Sequence, residues 1–331
     1  MGKRENWIDI FKGIGIILVI AGHFVDYNSV FTRYIFTFHM PLFFFASGCL
    51  YRKVKYHSEL QLARARTKKL LLPYLAFCLA GLIFTAILHA MGLKFPGIPQ
   101  ILYEVFIKGQ PGSLIASHLW FLVCLFVTEL LFGAMLLHIR NPGNIILAII
   151  LCVIAEQVFN RLFGLELPWK MNSALIAVVF YGAGYALKGG ITMVKSKFNH
   201  TTALILAILF LCGLLFGVML NHDVNMANAE YHHIMLFFIA AFAGIFLVAY
   251  LSRIIHRNRI LEFLGRNSFI IFTTHYFIMY ILVYLISLIR QTPFTLYSLS
   301  VGIGLLATMI TLLLEIPVVI IYNKLLRIIS R

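Results

Sequence analysis

Ten long apolar segments dominate this sequence and restrict its fold more than any other feature. Segments of roughly 17 to 25 apolar residues suffice to cross about 30 Å of hydrocarbon. We place them at 7–25, 34–51, 70–91, 118–137, 144–160, 173–187, 202–220, 232–251, 267–288 and 297–323. With 61% hydrophobic residues in 331, the chain has more apolar side chain than a soluble core buries. The sequence therefore predicts an all-α, polytopic integral membrane protein.

The basic residues predict the orientation. If the N-terminus is cytoplasmic, 20 of the 27 lysines and arginines lie in cytoplasmic segments, 6 lie in outer loops, and Lys12 lies inside the first segment. Such an excess on the inside is typical of bacterial membrane proteins and places both termini in the cytoplasm. The net charge of +15 therefore indicates membrane orientation, and we expect the lipid bilayer, not a nucleic acid, as partner.

We expect one transmembrane domain, residues 1–331. The longest outer connection, about residues 92–117, is too short to hold a core of its own. The first segment carries Asp9 and Lys12, so we interpret it as a retained helix and not as a cleaved signal peptide. The five cysteines lie inside apolar stretches without metal-site or redox spacing, and we predict no metal site. The sequence leaves the oligomeric state, including a homo-oligomer, open.

The first helix combines charged and basic residues at membrane depth. Lys12 and His23 are eleven residues apart, so they share one helix face about 16 Å apart along the axis. Asp9, three residues before Lys12, is placed to pair with its ammonium group. Lys12 has an alternative role, since a lysine near a helix end often extends to the membrane interface. His23 alone is as typical of a hydrogen-bonded interior histidine as of a catalytic one.

Further polar residues accompany this helix. His39 opens the second segment at about the depth of His23, so a shared site of two imidazoles is predicted. Arg64, Arg66 and Lys69 precede the third segment, where they explain orientation but also suit the phosphates of a cytoplasmic ligand. Glu129, within the fourth segment, is predicted either to orient a histidine or to pair with a cation, with a structural hydrogen bond as its alternative role.

Taken together, these residues carry a family resemblance. The motifs are Lys12 with ten residues before His23, then the segments 38–48, 66–74, 118–122 and 264–268, and finally His275. In this order they resemble the membrane acyltransferase-3 family, and most closely its short bacterial members related to fucose and polysaccharide O-acetyltransferases. Lys69 stands where the family commonly has arginine, and a lysine offers a point charge in place of a bidentate fork.

The resemblance implies acyl transfer, most simply of acetyl, from cytoplasmic acyl-CoA to a hydroxyl of a cell-surface or lipid-linked carbohydrate. It implies a multi-pass protein of the bacterial cytoplasmic membrane. Lys12, paired with Asp9, and the basic cluster Arg64, Arg66 and Lys69 would then hold coenzyme A phosphates. His23 and His39 would act on the reacting groups, assisted by Glu129. Acetyl-CoA would be the donor substrate, and either general-base or covalent acyl-histidine chemistry is compatible with an imidazole.

The remaining motif residues are assigned by the same resemblance. Ser268 and His275 would line the path of the donor, with interhelical hydrogen bonding as their alternative role. His118 and Trp120 would contact the acceptor carbohydrate, with membrane-interface anchoring as the alternative for the tryptophan. The competing class is a transporter or flippase, which also places charges at depth. The paired histidines and the lack of evident inverted repeats favour the enzyme.

The charge asymmetry generates a test of orientation. Leu60→Cys should react with a membrane-impermeant maleimide only after permeabilisation, and Asn225→Cys should react in intact cells, both in a background without the native cysteines. Labelling with the opposite pattern would invert the predicted topology.

Overall fold

The structure, a computed structural model, describes residues 6–52, 56–90, 96–164, 166–193, 200–221, 224–291 and 298–329. No β-strand occurs within these ranges; residues Val25 and Leu299 form an isolated bridge. The helices are α1 (Asn6–Phe24), α2 (Val30–Leu50), α3 (Glu59–Arg66), α4 (Leu72–Ala90), α5 (Ile98–Leu102), α6 (Trp120–His138), α7 (Pro142–Phe163), α8 (Met171–Met193), α9 (His200–Leu220), α10 (Ile234–Ile254), α11 (Arg259–Arg266), α12 (Ser268–Arg290) and α13 (Val301–Ile329).

A long helix coincides with each of the ten predicted segments. Within the described ranges, seven helical stretches are long and apolar enough to cross a membrane. The prediction of an all-α, multi-pass membrane protein is thereby confirmed. The stretches are formed by α1, by α3 with α4, and by α6, α7, α10, α12 and α13. Membrane crossing by α2, α8 and α9 stays a prediction, and in α9 the apolar stretch is limited to Ile208–Leu220.

The third predicted segment begins earlier than its hydropathy indicated. Ser58 caps α3 by accepting a hydrogen bond from the Gln61 amide, so the helix starts at Glu59. A π-helical turn, Thr67–Leu71, then connects α3 to α4. The π-helical turn does not interrupt the helix, so α3, the turn and α4 form one continuous helix that starts after the Ser58 cap. The predicted position of the basic cluster at the start of a helix is therefore wrong: Arg64, Arg66 and Lys69 lie along it.

The described residues pack as two compact units, and the first comprises Met1–Phe43, Met193–Asn225 and Tyr231–Arg331. Helix α1 contacts α10, α11, α12 and α13 within this unit. At Gly13 an added Cβ would overlap the Leu261 carbonyl, and at Gly265 it would overlap the Asp9 carbonyl. Small residues at such points let two backbones approach closely, so α1 and α11 pack directly on one another.

The second unit comprises Phe44–Thr192 and Met226–Glu230. Most of α6 is buried, whereas Glu156 is the single buried residue along α7. The end of α2 packs on α8, because Gly48 faces the Tyr181 carbonyl and Gly184 faces the Phe45 carbonyl without room for a Cβ. Gly48 and Gly184 therefore lie at a helix–helix contact.

This contact generates a stability prediction. Gly184→Ala should lower the melting temperature in detergent, because its methyl group would overlap a carbonyl oxygen and overpacking typically costs about 1–3 kcal/mol. Gly302→Ala in α13 is the matched control, since its Cβ would meet nothing within 4 Å. Equal melting temperatures for the two variants would show that the helices separate readily.

Candidate active site

Three helices of the first unit bring histidines together. His23, near the end of α1, stacks on His275 of α12 with ring centroids 5.5 Å apart and an interplanar angle of 23°. Tyr276 meets the His23 ring edge-on at 4.9 Å. Phe36 of α2 contacts both His23, at 6.3 Å, and His39, at 5.0 Å. His275, predicted beside the donor path, thus lies against the predicted catalytic histidine.

The protonation of two of these imidazoles follows from their partners. His39 Nδ1 lies 2.7 Å from the Ile35 carbonyl oxygen, and His275 Nδ1 lies 3.0 Å from that of Ile271. A carbonyl oxygen can only accept, so both rings carry a proton on Nδ1 and, when neutral, a lone pair on Nε2. Both residues are buried, whereas His23 is half-buried. Of the three rings, His23 is the accessible one.

A second polar group of this unit surrounds Asp9. Its carboxylate lies 3.6 Å from Lys12 Nζ, so the pair expected from their spacing is present. It also lies 3.4 Å from Arg266 Nε, and Arg266 pairs in addition with Glu262. One buried carboxylate therefore holds two cations, of which Arg266 is half exposed. Arg266 belongs to the motif 264–268, but no local spacing relates it to Asp9.

Helix α12, which follows Arg266 and Asn267 in the chain, carries further polar residues. Ser268 is its first residue and is buried. Further along, Thr274 Oγ1 donates to the buried Glu315 carboxylate of α13, with oxygen distances of 2.8 and 3.0 Å. Ser268 and His275 thus lie on the helix that faces His23, and Thr274 makes an interhelical hydrogen bond of the kind expected between membrane helices.

In the second unit, Arg66 and Glu129 form a buried ion pair. Arg66 Nε lies 2.8 Å from Glu129 Oε2, and Tyr181 donates to Glu129 Oε1 at 3.0 Å. The guanidinium also lies over the rings of Tyr51 and Tyr56, at 5.8 and 5.4 Å from their centroids. Of the roles open to Glu129, the structure has the pairing with a cation, together with a hydrogen bond from Tyr181. Nothing in the local sequence identifies the cation, which is 63 positions away.

The rest of the basic cluster and the acceptor candidates differ in exposure. The side chains of Arg64, Lys68 and Lys69 are exposed, so their charges are accessible. His118, in a short 3₁₀ turn, and Trp120, at the start of α6, are both buried. A buried indole offers no open ring face, so Trp120 can contribute to a carbohydrate site only by shaping its wall.

Lys170, one of the six basic residues predicted to lie in outer loops, is a buried cation. Its Nζ donates to the Ala227 carbonyl at 2.8 Å and lies 3.9 Å from Glu166. Burial lowers the pKa of Lys170 to about 8, although the Glu166 carboxylate acts in the opposite direction. Trp169 and Lys170 both have φ of +56°, a conformation that costs non-glycine residues energy and often marks functional positions.

A small apolar cavity lies in the same unit. Its volume is about 80 Å³, several times the roughly 10–15 Å³ that one water needs. Its polar neighbours are internally paired, since Tyr74 donates to the Val105 carbonyl and Trp169 Nε1 donates to the Phe106 carbonyl, both at 2.9 Å. The lining is Leu71, Tyr74, Leu75, Val105, Phe106, Val123 and Trp169. These walls suit hydrocarbon and not a charged phosphate.

Among the described residues, no three His, Cys, Asp or Glu side chains are grouped to hold a metal ion. No similar protein was found among curated proteins or among solved structures. A family model described as an acyltransferase domain matches residues 5–314, nearly the whole chain. The matched range includes His23 with the rings around it, Asp9 with its two cations, and the Arg66–Glu129 pair. The chain therefore belongs to the membrane acyltransferase-3 family and is a membrane acyltransferase.

Proposed function

We propose that this acyltransferase moves an acyl group, acetyl in the simplest case, from cytoplasmic acyl-CoA to a hydroxyl of a carbohydrate. The carbohydrate is a cell-surface or lipid-linked glycan at the outer side of the bacterial cytoplasmic membrane. The observation that carries this proposal is the placement of the half-buried His23 on the same helix face as Lys12. One rigid helix then aligns a phosphate contact with a reacting group, which is catalysis by positioning.

The donor is held at the end of the first unit where Lys12 lies. Lys12 and Arg266 share Asp9, so both cations are fixed in place before the donor arrives. Phosphate oxygens suit such a pair, because charge-assisted hydrogen bonds are stronger than neutral ones. The separation of about 16 Å between Lys12 and His23 along α1 is comparable with an extended pantetheine arm. The thioester would thereby reach the His23 imidazole.

In the second unit, the exposed charges of Arg64 and Lys69 suit phosphate groups as well, and we propose them as donor contacts on the family resemblance. Arg66 differs from them, since its guanidinium is paired with Glu129 within the second unit. His118 and Trp120 would shape the acceptor side from buried positions. Ser268 and His275 would bound the donor path on α12.

The chemistry proceeds by general-base catalysis. His23 Nε2 removes the proton of the acceptor hydroxyl while that oxygen bonds to the thioester carbonyl carbon. The tetrahedral intermediate collapses, the carbon–sulfur bond breaks, and the leaving thiolate takes the proton from His23 Nε2. The products are the carbohydrate ester and free coenzyme A, and the imidazole returns to its starting state.

His23→Ala should abolish acetyl transfer from acetyl-CoA to a glycan acceptor, with coenzyme A affinity and melting temperature near those of the wild type. The control is His233→Ala, an exposed histidine of the same unit, which should keep full turnover. Substantial turnover by His23→Ala would remove this residue as base or nucleophile. Radioactive acetyl retained on the wild type without acceptor would indicate an acyl-histidine route instead of direct transfer.

Lys12→Ala should weaken coenzyme A binding about tenfold or more in calorimetry, because a hydrogen bond to a charged group contributes roughly 1.5–3 kcal/mol. Lys324→Ala, an exposed lysine of α13, is the matched control and should bind normally. Titration with dephospho-coenzyme A locates the contact: if Lys12 binds the 3′-phosphate, the variant and the wild type should bind this analogue equally. Unchanged affinity for both ligands would refute the phosphate assignment.

Measuring the effect of Arg66 on coenzyme A affinity needs a different variant. Arg66→Ala would leave the Glu129 carboxylate buried without its cation, and breaking a buried pair typically costs about 3–5 kcal/mol. Loss of binding in that variant would therefore report on folding. The double variant Arg66→Met with Glu129→Gln removes both charges, so any remaining effect on coenzyme A affinity reflects the donor site.

A further inference from the structure

His23 differs from its two neighbouring histidines in what its Nδ1 faces. In His39 and His275 this nitrogen donates to the carbonyl four residues earlier on its own helix. In His23 it lies 3.4 Å from the hydroxyl oxygen of Tyr276, a residue of another helix and 253 positions away. The ring that is accessible is thus the ring whose orientation depends on a tertiary contact.

Tyr276 is well placed to hold that ring. Its side chain is buried, and it contacts two imidazoles edge-on, His23 at 4.9 Å and His275 at 5.2 Å. The stacked His275 ring covers one side of His23. The His275 ring therefore opposes movement of the His23 ring out of its plane. The hydroxyl contact at Nδ1 opposes rotation of the ring within its plane.

We propose that Tyr276 positions His23 for catalysis by accepting the hydrogen bond of its Nδ1–H, which leaves the Nε2 lone pair toward the reacting groups. This inference rests on the proposed function, in which His23 Nε2 is the base. A hydroxyl can donate or accept, unlike a carbonyl. Only the accepting role puts the single proton of the neutral ring on Nδ1 and its lone pair on Nε2. A contact of 3.4 Å is long, as catalytic hydrogen bonds often are without substrate.

The proton balance defines the role of the tyrosine. When Nε2 takes the acceptor proton, the ring becomes an imidazolium with a proton on each nitrogen. The Nδ1 proton stays donated to the Tyr276 oxygen throughout, and the Nε2 proton passes to the leaving thiolate. Tyr276 gains and loses no proton and touches no substrate, so it is a positioning residue and not a catalytic one.

The test compares two single-atom deletions on α12. Tyr276→Phe removes the hydroxyl and keeps the ring, so folding and ring contacts should persist. We expect kcat for acetyl transfer to fall about 10- to 100-fold, by analogy with the loss of groups that orient metal-ligating histidines, with KM for both substrates unchanged. Tyr280→Phe, one helical turn further on and in ring contact with Tyr276 at 6.4 Å, should behave as the wild type.

A spectroscopic measurement separates this inference from the proposed function. In protein labelled with ¹⁵N-histidine, the two ring nitrogens report the tautomer, and the His23 signals are those missing in His23→Ala. The wild type should show His23 protonated on Nδ1, and Tyr276→Phe should show a mixture of tautomers. This readout needs no turnover, so it holds even if acetyl-CoA proves not to be the donor.

Two results would overturn the inference. One is a wild-type His23 protonated on Nε2. The other is a Tyr276→Phe variant with wild-type kcat and an unchanged tautomer in an enzyme that transfers acetyl. By contrast, a wild-type protein that transfers no acyl group while His23 carries its proton on Nδ1 would count against the proposed function alone.

Discussion

The geometry of the first unit depends on the backbone contact between α1 and α11. Because Gly13 and Gly265 lack side chains, Leu261 and Asp9 carbonyls lie where a Cβ would otherwise stand. This contact fixes the rotation of α1 about its own axis and its position along that axis relative to α11. It places Asp9 beside Arg266, and since only Asn267 separates α11 from α12, it also fixes where α12 starts. The position of His23 against His275 and Tyr276 follows from the same contact, about three turns further along α1.

The second unit depends on a buried charge pair. Separating Arg66 from Glu129 would leave a charge in an apolar interior, which is far more costly than keeping the pair. Tyr181 adds a hydrogen bond to the same carboxylate, so α3, α6 and α8 are joined at one point. The basic cluster consequently contains two kinds of residue. Arg66 belongs to the interior, whereas Arg64 and Lys69 present their charge to the surroundings.

The parts of this fold that were predictable are those encoded within one segment. Apolar length predicted the helices, and an eleven-residue spacing placed Lys12 and His23 on one face. The pair of Asp9 with Lys12 was predictable for the same reason. Contacts between distant segments were not: Arg266 meets Asp9 across 257 positions, and Tyr276 meets His23 across 253. Hydropathy also missed the start of α3, because a cap at Ser58 can begin a helix on polar residues.

The π-helical turn Thr67–Leu71 has a consequence for how this protein tolerates changes in length. A π turn holds one more residue than an α turn, and such turns often lie at functional sites. Deleting any one of its residues would restore a regular α-helix, in which each residue advances the face by about 100°. Tyr74 would then rotate away from Val105 while Arg66 stayed beside Glu129. Natural variants of this chain should therefore accept substitutions in the turn far more readily than a one-residue gap.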